Sequence, residues 1–256
     1  MDDALSLSVA DGIGRILIRR PARRNAMSRA MWRRLSSLLR QAAEEPSLGV
    51  LLLAGEGGQF SAGADISEFA DTYADAETAE AANAEIAAAV EALAAFPRPT
   101  VAAISGACVG GGVSLALACD LRVADATARF AVTPARLGLI YSHGDTLRLV
   151  RAVGAARAKE LLFTGRMVGA EEAARIGLIS TLAPDARAAA EALAAELAAA
   201  SRPALRAIKR MVEDVAAGVP EGPAHRAAFA EAFRGADFAE GRAAFLEKRP
   251  PRFSAP

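Results

Sequence analysis

The stretch ACVGGGVSLALACD, residues 107–120, sets three consecutive glycines in front of an apolar segment of helical length, with Ser114 two positions after the last glycine. Just upstream, PTVAAISG (99–106) is a short apolar run that reads as a buried strand, so the glycines mark a passage from strand into helix. A helix start carries unpaired N–H groups and a partial positive charge. Glycine there lets a ligand approach the backbone without meeting a Cβ atom. FSAGAD (60–65) is a second turn of this kind, following the apolar strand VLLLA (50–54). Side by side, two such turns can aim two N–H groups at one oxygen. Either turn alone also suits a plain turn former, and neither matches a dinucleotide or P-loop glycine pattern.

The same alternation extends in both directions. LSLSVADGIGRILIRR (5–20) reads as a hairpin around Asp11 and Gly12, and SRAMWRRLSSLLRQAAEE (28–45) carries Met31, Leu35, Leu38, Leu39 and Ala42 at helical spacing. An alanine-rich helix follows over about 74–95, and LRVADATARFAV (121–132) supplies further short strands. Repeated strand-then-helix units predict an α/β architecture with ligands gathered where strands hand over to helices. From about 186 onward the pattern is helical only, in AAAEALAAELAAA, ALRAIKRMVEDVAAG, AHRAAFAEAFRG and EGRAAFLEKRPPRF. No segment rich in Gly, Pro or Ser separates two independent domains.

The chain has 256 residues, 53% of them hydrophobic, enough for a sizeable core. Its 30 basic and 30 acidic residues cancel, leaving no global field for nucleic acid or an anionic membrane. Arginine dominates the bases, with Lys159, Lys209 and Lys248 the only lysines. Cys108 and Cys119 sit in apolar sequence without metal spacing, which reads as reduced thiols and predicts a cytoplasmic location. The start MDDALSLSV has no basic region before an apolar run and does not read as a secretion signal. No apolar run approaches the roughly 20 residues of a membrane span.

Taken in order, RRPARRNAMS (19–28), FSAGADISEF (60–69), GACVGGGVSLALACDLRVA (106–124) and FLEKRPPRF (245–253) resemble the crotonase superfamily of enoyl-CoA hydratases and isomerases over nearly the whole chain. The resemblance implies a spiral of ββα units over 1–195 that binds acyl-CoA. It also implies a helical C-terminal region over 196–256 that builds a homotrimer or a dimer of trimers. The substrate implied is a coenzyme A thioester, with no separate cofactor and no metal. The N–H groups of Ala64 and Gly111 would then form an oxyanion hole around the thioester oxygen. Ala62, Gly63, Ala64, Asp65 and Ile66 would run beside the adenine and pantetheine, Arg23, Arg24 and Ala26 would approach the nucleotide end, and Phe245 and Lys248 would meet the nucleotide from a neighbouring subunit.

Hydratases of that superfamily use two glutamates to position and activate water. The matching positions here are Ser114 and, in FAVTPARLG (130–138), Ala135. Each general acid or base contributes on the order of 10²–10⁴ in rate, which argues against ordinary hydration of crotonyl-CoA. Ser114 reads either as filler or as a holder of water or substrate. Its hydroxyl is a poor base unless something deprotonates it. In TPARLGLIYSHGDTLRL (133–149), Tyr141 is the polar candidate, because Thr-Pro-x-x-Leu-Gly-x-x-Tyr resembles superfamily decarboxylases that act on methylmalonyl-CoA. Those enzymes carry a histidine where this chain has Ala64. Asp145 reads as the cap of the following helix, or as the acid or base of a variant site. The run SHGD (142–145) is not a triad, since a triad converges from separate segments.

Three expectations follow. The first is an acyl-CoA enzyme of the hydratase/isomerase family that stabilises a thioester enolate. The second is decarboxylation of a malonyl-type thioester, and the third a catalytically silent acyl-CoA-binding protein. A role on RNA would need a basic stripe that the sequence lacks.

Overall fold

The computed structural model of the chain describes residues 4–253; the residues outside this range belong to the ends of the two regions expected from the sequence and lie outside the description. The hairpin forms as expected. Strands β1 (Leu5–Ala10) and β2 (Ile13–Ile18) pair antiparallel across Asp11 and Gly12, both at positive φ. Ser28 then caps α1 (Arg29–Glu44), its hydroxyl accepting the Met31 N–H at 3.3 Å. At the other end of α1, Arg98 donates to the carbonyls of Ala42, Ala43 and Glu45, groups that a helix end leaves unpaired.

Strand β3 (Val50–Gly55) follows, then the short helix α2 (Phe69–Thr72), the long α3 (Ala76–Ala94) and strand β4 (Thr100–Ile104). The quoted stretch contributes β5 (Ala107–Val109) and α4 (Gly111–Ala118), followed by β6 (Leu121–Ala124) and β7 (Arg129–Ala131). Helix α5 (His143–Thr164) is interrupted at Gly154, whose φ of 77° is not helical. Strand β8 (Val168–Gly169), helix α6 (Ala170–Arg175) and strand β9 (Thr181–Leu182) complete the spiral. The remaining described chain is helical apart from connections: α7 (Ala186–Ala199), α8 (Arg202–Ala216), α9 (Pro223–Ala232) and α10 (Ala236–Glu247).

The main sheet has the order β1-β2-β3-β4-β6-β9, parallel apart from the hairpin, and a smaller sheet has the order β5-β7-β8. Side chains alternate across a strand, so β3 serves two cores. Leu51 and Leu53 join Trp32, Leu35, Leu38 and Leu39 of α1, whereas Val50, Leu52 and Ala54 meet Ala190 and Ala194 of α7. Helix α7 thus packs on the main sheet while crossing the expected boundary at 195.

Beyond α7 burial falls away. Val212 is 62% exposed, and Ile208, Val215, Phe229, Phe233 and Phe238 are exposed with it. Lys209 ties α8 to the body by donating to Asp120 Oδ2 at 2.9 Å and to the Arg98 carbonyl at 3.2 Å. Among the described residues no helix is long and apolar enough to cross a membrane.

Candidate active site

The two glycine-bearing turns lie side by side because the main chain stitches them together. Ser61 N donates to Ala107 O at 2.8 Å and Val109 N to Ser61 O at 3.0 Å, a parallel bridge between Ser61 and Cys108. On its other side the first turn is bridged to Met27. Met27 N donates to Gly63 O at 2.7 Å and Asp65 N to Met27 O at 2.9 Å. In a parallel bridge the residues flanking the paired one make the bonds, so the Ala64 N–H is turned away from Met27. Gly111 opens α4, where an N–H has no intrahelical partner. Among the described residues no hydrogen bond engages the N–H of Ala64 or of Gly111.

Their approach depends on glycine at two positions. Gly63 has φ +87°, and a Cβ there would lie 2.5 Å from Val109 O and 2.8 Å from Gly111 N. At Gly112 a Cβ would run into the Ser61 carbonyl. Asn25, a buried residue, anchors the first turn from behind. Its side-chain amide donates to the carbonyls of Glu56 and Gln59, and its own carbonyl accepts the Ser61 hydroxyl at 2.9 Å.

Ser114 and Tyr141, 27 residues apart, meet. Ser114 Oγ lies 2.8 Å from Tyr141 Oη, and Tyr141 also donates to Gly110 O at 3.3 Å. Ser114 is buried in α4. Burial pushes the Tyr141 hydroxyl above the usual phenol range, and the nearby Asp145 carboxylate pushes the same way. Tyr141 is therefore a hydrogen-bond donor throughout the working pH range and not a base. Ala135, at the other expected acid position, is exposed in a 3₁₀ turn and brings no polar side-chain group.

Asp145 does not cap α5, which corrects the expectation from sequence. Ser142 is the cap: its hydroxyl accepts the Asp145 N–H at 3.1 Å and donates to Asp145 Oδ2 at 2.7 Å. Arg148 holds the other carboxylate oxygen at 3.1 Å and reaches Glu91 at 3.0 Å. The Asp145 carboxylate is thus occupied by a helix cap and an ion pair.

The remaining expected binding residues form two groups. Ala26 is buried beside Asn25, and its carbonyl accepts from Arg20, which pairs with Asp65 at 3.0 Å. Hydrogen bonds from Ser67, more than Arg20, hold the Asp65 carboxyl below its usual range. Ala62 N donates to Arg24 O at 2.9 Å, joining Arg23 and Arg24 to the first turn, while Ile66 and both arginine side chains face solvent. Phe245, 83% exposed, and Lys248 lie at the end of α10. Among the described residues no hydrogen bond or ion pair links them to either turn.

A narrow cleft, partly open to solvent, adjoins Ala64. Met27, Trp32, Phe69, Tyr73 and Ile86 form much of its wall. Trp32 also packs on the second turn, since a Cβ on Gly111 would sit 3.1 Å from its Cζ2 atom. Sequence reading singles out neither Asn25 nor Trp32. Asn25 lies inside a quoted motif, but its role depends on contacts more than 30 residues away. Trp32 sits in an apolar helical face, where spacing signals only core.

The described family whose sequence model matches the chain is enoyl-CoA hydratase/isomerase, over residues 8–256. A Mycobacterium tuberculosis protein named probable enoyl-CoA hydratase is 38% identical over 250 residues, covering 94% of each chain. The human enoyl-CoA hydratase domain-containing protein 2, mitochondrial, is 39% identical over 255 residues, covering 94% of this chain and 85% of its own. A crystal structure of an enoyl-CoA hydratase/isomerase family protein from Hyphomonas neptunium superposes with a TM-score of 0.95 at 44% identity, covering 99% of this chain and 98% of the other.

Proposed function

From the premise that this chain belongs to the enoyl-CoA hydratase/isomerase family and processes acyl-CoA, we propose that it binds the thioester oxygen between the N–H groups of Ala64 and Gly111 and stabilises the enolate formed there. The observation that carries this reading is that both N–H groups are unengaged on turns held in contact at Gly63. As negative charge gathers on the oxygen, fixed donors strengthen their bonds to it, each contributing roughly 10²–10³ in rate. The segment Ala62–Ile66, with Arg23, Arg24 and Ala26, takes the pantetheine and nucleotide. Phe245 and Lys248 complete that site from a neighbouring subunit, in a homotrimer or dimer of trimers that covers the apolar faces of α8, α9 and α10. No separate cofactor is required. Two free, buried cysteines suit a cytoplasmic enzyme.

A specific observation favours a second, narrower reading. The pair Ser114–Tyr141 offers hydroxyls where a hydratase needs carboxylates, and Asp145 is already engaged. The site therefore offers donors without a free base. Decarboxylation of a malonyl-type thioester suits it: the Cα–carboxylate bond breaks, its electron pair enters the enolate, carbon dioxide leaves, and Cα then takes a proton. Tyr141 would orient the departing carboxylate.

Incubation of the purified protein with crotonyl-CoA and with methylmalonyl-CoA, followed by product mass, tests both readings. Loss of carbon dioxide without hydration supports the narrower one. Gain of water on crotonyl-CoA overturns it and keeps the enolate reading. Binding without turnover across a broad thioester panel leaves a silent acyl-CoA-binding protein.

A further inference from the structure

Among the described residues, only two buried side-chain nitrogen or oxygen atoms lack a hydrogen-bond partner, Trp32 Nε1 and Arg148 Nε. Arg148 spends its other nitrogens on Asp145 and Glu91. Trp32 has no other polar atom in its side chain. Its residue is 1% exposed, and a buried indole N–H normally finds a partner, because leaving it unpaired costs free energy. The ring lines the cleft beside Ala64, and its Cζ2–Cη2 edge faces the Cα of Gly111 at distances of 3.1 and 3.3 Å from a Cβ placed there. Cζ2 neighbours the ring carbon that bears Nε1. The unpaired donor, itself buried, thus belongs to the ring that touches both the cleft and the second turn.

The charged groups of that wall are engaged. Arg29 is held by Glu85 at 2.7 Å, Asp65 by Arg20 and Ser67, and Glu68 accepts the Arg29 N–H at 2.8 Å. The cleft is otherwise lined by Met27, Phe69 and Ile86 among its apolar members. Two carboxylates and an arginine already bound to an acid would repel an anionic chain or leave it without a cation.

We propose that Trp32 is a specificity-determining residue whose indole N–H donates to a neutral oxygen carried on the acyl chain, within the first few carbons beyond the thioester carbonyl. The inference rests on the enolate-site reading above, which puts the thioester between Ala64 and Gly111, and it adds that the acyl chain enters the cleft adjoining Ala64. The substrate class is then an acyl-CoA bearing a keto, hydroxyl or ether oxygen, in preference to a plain alkyl thioester. An unpaired buried donor that gains a partner strengthens binding roughly ten-fold.

The chain contains a single tryptophan, so protein labelled with ¹⁵N-tryptophan gives one indole N–H resonance, that of Trp32. Acetoacetyl-CoA is compared with butyryl-CoA, and 4-oxopentanoyl-CoA with pentanoyl-CoA, by calorimetry and by that resonance. The expected result is that at least one oxo thioester binds about ten-fold more tightly than its alkyl partner and alone moves the resonance downfield. Trp32→Phe should then reduce the preference, taken as the ratio of affinities within each pair, to less than about three-fold. Wild-type affinities equal within each pair overturn the proposal and leave the enolate reading intact. So does an equal resonance shift with the alkyl thioesters, which would put the thioester oxygen itself on the indole. Failure of all four thioesters to bind overturns the enolate reading and this inference together.

Discussion

Ser114 and Tyr141 share a hydrogen bond of 2.8 Å between α4 and the segment leading into α5, at the position where hydratases of this family are expected to carry a carboxylate. A serine hydroxyl bonded to a phenol that burial keeps protonated cannot draw a proton from carbon. It can orient a group that leaves.

Tyr141→Phe removes that donor and leaves Ser114 buried with one partner fewer. Turnover of a carboxylated thioester should fall by roughly 10–100-fold with little change on uncarboxylated ones, while stability drops by about 1 kcal/mol. Steady-state rates on matched substrates and a denaturant titration check this. Equal loss on every substrate would assign Tyr141 to packing.

Gly111→Pro deletes one proposed oxyanion donor at a first-turn position where proline is tolerated. Turnover should fall by about two orders of magnitude or more in a protein whose circular dichroism is unchanged. Gly63→Ala should lose both activity and stability, because the added methyl meets Val109 O and Gly111 N in a left-handed conformation. Wild-type rates in Gly111→Pro would remove Gly111 from the site.

The carboxyl of Asp65 is held below its usual range by Ser67 and Arg20, so its contribution to stability is present in full above the unfolded value near 4 and fades as pH falls toward the folded value. Asp65→Asn should cost about 1–2 kcal/mol at pH 7, and the gap from wild type should narrow in urea titrations as pH drops below about 4. A gap independent of pH would mean that the ionised carboxylate contributes nothing.

Replacing Val212 and Val215 together by glutamate puts charge on the exposed apolar face of α8. If that face is covered in a trimer, light scattering should show a smaller species, and binding of acyl-CoA should weaken as Phe245 and Lys248 are lost from the partner's site. An unchanged mass would free α8 from the interface.

Much of the fold was legible because its signals are local. The hairpin turn is set by Asp11 and Gly12, and the buried face of α1 is set by the spacing of Met31, Leu35, Leu38, Leu39 and Ala42. Strands β8 and β9, two residues each, carry no periodicity of their own and exist only because neighbouring strands pair with them. The cap of α5 is not legible from sequence because Ser142 and Asp145 belong to one reciprocal pair, and residue type alone favours either as the cap. The glycine turns named their own positions, but the meeting of Ser114 with Tyr141 and the buried, unpartnered N–H of Trp32 are products of packing. No spacing along the chain encodes them.

The ladder joining Ser61 to Cys108 is made of peptide groups, and so are the two unengaged N–H groups beside it. Substitution can exchange the residues at 114, 135 and 141 without removing an amide from the main chain. An ancestral sequence could therefore drift from one acid-base set to another while its means of gripping a substrate persisted. Inheritance of the scaffold and divergence of its reagents become separable events, each open to selection on its own.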